Sequence, residues 1–138
     1  MKNKTLLPLL ELLCMIVIFA ISSALCLRGF IIANTISAKQ YALDSSVIIV
    51  QNTAETLKAS NGDLSSVNSI YAGNISDNLF TAYFDKSFSV TTDKSTAKYT
   101  LLVLINNNND WICNATITMY NSDDVIFSID TGWQEDVQ

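Results

Sequence analysis

Histidine is absent from this chain, and with it go His-based catalytic triads, imidazole general bases and His-ligated zinc. Proline is confined to Pro8, and the only glycine before Gly62 is Gly29, so little in that interval forces a helix to break. Cysteine is scarce too. Cys14 and Cys26 fall in an apolar run and Cys113 stands alone downstream, which argues against a disulfide scaffold and predicts that Cys113 is a buried thiol. Basic residues are few, with eight Lys and Arg against thirteen Asp and Glu. Residues 1–28 hold Lys2, Lys4 and Arg28 against Glu11 alone, leaving five lysines to face twelve acids in residues 29–138. An outer part this acidic lacks the clustered Lys and Arg that phosphate contact requires, so no nucleic-acid partner is expected. Neither G-x-S-x-G nor G-x-G-x-x-G occurs, and the closest carboxylate pair, Asp123-Asp124, sits in a turn-like stretch where acids are ordinarily solvated. A non-enzymatic protein without cofactor or metal is the expectation.

What the chain has in abundance is apolar length near its N-terminus. Leu6 to Leu27 is a run of 22 residues, about 33 Å as a helix at about 1.5 Å per residue, enough to cross a bilayer. Inside it lies one carboxylate, Glu11, followed from Leu12 to Leu25 by no charge. A carboxylate costs about 2.5–3.5 kcal/mol at the bilayer centre, and Glu11, nearer one end, costs less; it still calls for a proton or a counter-charge. Lys2 and Lys4 precede the run and the acidic part follows it, so the positive-inside bias places the N-terminus in the cytoplasm and the remainder outside. A cleaved signal peptide would use Ser22-Ser23-Ala24 as its cut site. Retention is favoured instead by the length of the run, by Glu11 within it, and by helical patterning that continues past that point.

From Ile36 onward the apolar residues Ile36, Leu43, Val47, Val50, Ala54 and Leu57 are spaced by 7, 4, 3, 4 and 3, one stripe of an α-helix and a predicted core face. Lys39, Asp44, Ser45, Asn52 and Glu55 take the opposite side. The pattern predicts one helix from about Leu9 to Ala59, with Gly29 marking a bend at the membrane edge and Ser60-Asn61-Gly62-Asp63 ending it. Residues 63–71 then form a short helix or linker with Asp63 as N-cap.

Everything after the turn-rich 73–78 reads as strands. Leu79–Phe84 and Phe88–Thr92 are short strands joined by Asp85-Lys86-Ser87, and Tyr99–Ile105 is apolar enough for a central strand covered on both faces. Asn106 to Asp110 is a predicted polar turn. Trp111, Cys113, Ala115, Ile117 and Met119 alternate with polar residues, as do Val125, Phe127 and Ile129 after the turn Asn121–Asp124, which together predict an antiparallel hairpin. A lone sheet must hide one face, and the striped helix is the only large apolar surface to hide it against. The expected fold is α+β: a short cytoplasmic N-terminus and transmembrane helix within residues 1–28, the amphipathic continuation of that helix over 29–60, and a small extracytoplasmic antiparallel sheet within 61–138 on which the helix packs.

Two segments of this layout, the run Leu9-Leu10-Glu11-Leu12-Leu13 and the helix from Ala38 to Ala59 with Gln51, Asn52, Ala54 and Glu55, resemble the type IV pilin superfamily. Within it the chain looks most like minor pseudopilins of type II secretion and competence systems. The resemblance covers about the first 60 residues, and the sheet matches in layout only. It implies a prepilin peptidase cut between Leu6 and Leu7, although Leu6 stands where the family usually has glycine. It also implies that Glu11 neutralises an amine in a bundle of packed helices, that Leu7, Leu9 and Leu10 take part in assembly, and that the partners are other pilin-like subunits and an assembly platform. The rival reading is a static, single-pass anchor carrying an extracellular binding or structural domain that never polymerises.

Overall fold

The computed structural model describes residues 6–109 and 112–134. With no proline after Pro8 to break the backbone ladder, helix α1 runs without interruption over Leu6–Ala59. Gly29 lies inside it as ordinary helix. The chain divides into two compact units between Gln40 and Tyr41; the described residues of the first are helix alone. In the second, the last part of α1 packs on a small antiparallel sheet, which makes the fold α+β.

The helix ends by a mechanism visible in its hydrogen bonds. Asn61 adopts the left-handed conformation at φ 52°, Gly62 N–H donates to Leu57 O at 2.8 Å and Asn61 N–H to Lys58 O at 3.4 Å. This is the Schellman arrangement, with Asn61 at C′ and Gly62 one position beyond. Gly62 is required there twice over: its φ is +85°, and a Cβ would collide with the indole of Trp133. Asp63 then caps helix α2, Leu64–Ile70, by accepting from Ser65 N–H at 2.9 Å and from the Ser66 hydroxyl at 3.1 Å, as the sequence predicts.

The strands are β1 Asn74–Ser76, β2 Leu79–Phe84, β3 Val90–Thr91, β4 Tyr99–Asn109, β5 Ile112–Asn121 and β6 Asp124–Gln134. They order as β1-β2-β4-β5-β6, with β3 also paired to β2. Every pairing is antiparallel. Phe80, Phe84, Leu101, Val103, Ile117 and Met119 fill the buried side, against Val50, Ala54 and Leu57 of α1 and Val67 of α2. Cys113 is buried among them as a thiol, and Phe127 and Ile129 pack at the margin.

Several expectations need correction. The helix stripe begins later than its apolar spacing suggests: Ile36 and Leu43 are exposed, at 61% and 37%, while Ser46 and Thr53 are fully buried. Those hydroxyls cost little because each donates to the carbonyl four residues earlier, Ala42 O at 2.7 Å and Ile49 O at 2.8 Å. Strand β4 is covered on one side only, since Leu101 and Val103 are buried but Leu104 is 39% exposed. Its Asn-rich end is strand to Asn109 and not a turn, because Asn106, Asn107 and Asn109 continue the ladder to β5 through an irregularity. Trp111 and Asp110 lie outside the described residues. The 73–78 stretch contains β1, a hairpin arm paired to β2. Val125 faces away from Phe127 and is exposed, because a register shift at Met119/Tyr120 places it opposite Tyr120.

The expected strand 88–92 shrinks to two residues for a local reason. Phe88 is left-handed, φ 59°, an uncommon state for a bulky residue. The Asp85 carboxylate accepts from Ser87 and Ser89 N–H at 2.7 and 3.0 Å, closing a tight turn that swings the Phe88 ring onto Tyr99, with centroids 4.2 Å apart and planes at 12°. Tyr41 meets Phe88 edge-on at 6.0 Å.

Two measurements follow from this core. Leu57→Ala should destabilise the domain by about 2–5 kcal/mol, whereas Ile36→Ala should stay within about 0.5 kcal/mol in urea unfolding of the detergent-solubilised chain; equal losses would refute the stripe as drawn. Hydrogen bonds from the Ser65 and Ser66 backbone and hydroxyl groups hold Asp63 below its ordinary value near 3.8. Its contribution is therefore present above that value and lost as pH falls through the lowered folded value. Asp63→Ala should lower the unfolding midpoint at neutral pH and converge with the parent chain well below pH 3.8.

Candidate functional site

Glu11 projects from a helix surface that its own unit leaves bare. From Leu6 to Gln40 every residue is exposed. Within α1 a window of mean hydropathy 2.5, none of it buried, is long and apolar enough to cross a membrane. A helix apolar all round that packs on nothing in its own unit needs lipid or other helices to cover it.

Three of its hydroxyl groups are already provided for. Ser22, Ser23 and Thr35 donate to the carbonyls of Ile18, Phe19 and Ile31 at 2.8, 2.9 and 3.0 Å, so they carry little penalty into an apolar medium. The charged groups are different. Between Leu6 and Ile32 only Glu11 and Arg28 bear charge; they stand 17 positions apart, about 25 Å along the axis, too far to meet within one helix. Glu11 makes no hydrogen bond or ion pair among the described residues. The acid thus stands on an apolar rod with no counter-charge from its own helix.

Helical geometry separates the predicted assembly residues. At about 100° per residue, Leu7 lies on the same face as Glu11, one turn earlier. Leu10 is about a quarter-turn round and Leu9 nearly opposite. All are exposed, Leu7 the most at 75%. Leu7, Glu11, Met15, Ile18 and Ser22 consequently form one lengthwise ridge, whereas Leu9 and Leu10 face other directions. Leu6 and Leu7, the expected cut position, are the first two described residues of α1; Lys2 and Lys4 lie outside the described residues. Among the described residues no three His, Cys, Asp or Glu side chains gather as a metal site.

A second feature, to which sequence reasoning assigned no role, lies on the sheet face turned away from the core. A cleft of about 380 Å³ is lined by Tyr83, Lys94, Thr100, Tyr120, Ser122 and Asp123. Period-two alternation in β4 and β5 does send Thr100 and Tyr120 outward, but only the strand order shows that Tyr83 joins them. Comparison of the chain with family models, with curated proteins and with solved structures finds no match.

The bare helix makes a prediction through Cys14, which is exposed within the apolar stretch. In a chain carrying Cys26→Ala and Cys113→Ala, a charged maleimide should leave Cys14 unlabelled in intact membranes and label it fully after denaturing solubilisation. Complete labelling before solubilisation would mean that lipid does not surround this segment.

Proposed function

We propose that the protein is a non-catalytic, minor pseudopilin-like subunit of a type IV pilus, type II secretion or competence filament, assembled through its N-terminal helix. On this reading it resides in the bacterial cell membrane as a single-pass protein, N-terminus in the cytoplasm and sheet domain outside, in keeping with Lys2 and Lys4 before the apolar run and twelve acids after Arg28. The observation that carries the reading is Glu11, alone on an exposed apolar helix without a partner among the described residues.

The physics runs as follows. In lipid a lone carboxylate is driven toward its protonated form, because low dielectric disfavours charge. Packed beside another subunit's helix it gains an alternative, pairing with an ammonium group there. If the chain is cut between Leu6 and Leu7, the amine of a neighbour's Leu7 is the natural donor. That pair fixes one axial register, since sliding by a helical turn leaves both charges buried and unpaired. The apolar residues around it supply contact area, and the charge pair supplies the stagger. The sheet domain, carried at the other end of α1, presents its surface to neighbouring subunits.

The alternative, a static anchor, makes no such use of Glu11. Breaking a buried pair costs about 3–5 kcal/mol, so Glu11→Ala and Glu11→Gln should each lower recovery of pilin-like partners in co-purification at least about a hundredfold, without altering membrane insertion or the sheet domain. Undiminished recovery with either variant would reject assembly and leave the anchor.

A further inference from the structure

The outward face of the sheet carries a second site, independent of the helix and of the function proposed for it. Tyr83 of β2 pairs with Thr100 of β4, and Thr100 pairs with Tyr120 of β5. The three therefore stand in one row across three adjacent strands. Neighbouring strands are about 4.8 Å apart, which puts the two tyrosine backbones about 10 Å from one another with a small residue between them. The result is a trough with an aromatic wall at each side and a hydroxyl on its floor.

Two connections rim the trough. Lys94 comes from the β3–β4 loop, whose conformation is fixed by Asp93 accepting from Ser95 N–H at 2.9 Å and from the Ser95 hydroxyl at 2.8 Å. Ser122 and Asp123 come from the β5–β6 turn. Among the described residues neither Lys94 nor Asp123 is in an ion pair, and neither tyrosine hydroxyl is in a hydrogen bond. One donor cation, one acceptor carboxylate, two phenols and two aliphatic hydroxyls thus face a single open cleft of about 380 Å³, within the size range of small-molecule sites.

The chemistry selects among ligands. An anion would be opposed by Asp123 and by the acidic balance of residues 29–138, and a cation would be opposed by Lys94. A purely apolar ligand would bury the rim charges without partners. A neutral ring with hydroxyls at its edge and C–H groups on its faces satisfies every group present. Its faces lie against the tyrosines, and its hydroxyls accept from Lys94 and donate to Asp123.

We propose that the trough formed by Tyr83, Thr100 and Tyr120, rimmed by Lys94 and Asp123, is a binding site for a short segment of neutral glycan. The test uses the full chain in lauryldimethylamine oxide micelles, which contain no sugar, titrated by calorimetry with tri-N-acetylchitotriose, maltotriose and, as an anionic control, trigalacturonate. Saturable binding of at least one neutral trisaccharide is expected, with trigalacturonate weaker. Tyr83→Ala and Tyr120→Ala should each reduce affinity about tenfold or more. The rim variants Lys94→Ala and Asp123→Ala, both at exposed positions, should also weaken binding while the near-ultraviolet circular dichroism stays that of the parent. Absence of binding by both neutral sugars, tighter binding of trigalacturonate, or affinity unchanged in the two rim variants would each overturn the assignment.

Discussion

An α-helix satisfies its own backbone polar groups, and the organisation of this protein rests on that property. Because the ladder of α1 needs nothing from its surroundings, one element can pass from a stretch covered by nothing in its own unit to a stretch that is the wall of a packed core. Side chains alone mark the change. From Leu6 to Gln40 every residue is bare; from Ser46 to Leu57 one face is closed by the sheet. Ser22 and Thr35 in the first region and Ser46 and Thr53 in the second return their hydroxyls to the helix carbonyls. That leaves Glu11 as a polar group near the start of α1 with no such local outlet, and the proposed assembly role grows from that exception.

The sheet obeys a complementary constraint. Strand periodicity forces alternate residues to opposite sides, so the register that buries Phe80, Leu101, Ile117 and Met119 also sends Thr81, Leu102, Thr116 and Thr118 outward. Outward hydroxyls pair across strands, Thr116 with Asp130 at 2.7 Å and Thr118 with Ser128 at 2.8 Å. Toward the other end of the same face the register shift beside Tyr120 interrupts that regularity, and there the tyrosines flank open space.

Much of this was legible in the sequence, and the failures have identifiable causes. The uninterrupted helix, its stop at Ser60–Gly62, the Asp63 cap, strand β2 and the alternation of Cys113 to Met119 follow from local chemistry, and the structure has them all. Hydrophobicity alone misjudged the helix stripe: Ile36 and Leu43 stay exposed, while Ser46 and Thr53 enter the core with their hydroxyls locally satisfied. The continuous apolar run of β4 suggested two covered sides, but Leu102 and Leu104 lie on the sheet's outer face. Phe88 escaped notice because its conformation is imposed by the Asp85 turn and by stacking on Tyr99, neither of which a period-two pattern encodes. The Glu11 ridge could be drawn from helical geometry, whereas the Tyr83–Tyr120 trough depends on the order of strands distant in the chain.

The indole of Trp133 lies against the space where a side chain on Gly62 would be, and its Nε1 is buried without a hydrogen-bond partner among the described residues. The terminus of the long helix is therefore sealed by the penultimate residue of the last strand. During synthesis the rod and five strands leave the ribosome before that lid exists. A nascent chain halted before Trp133 therefore leaves an open seam at the joint between helix and sheet, with the turn at Gly62 lacking the indole that covers it.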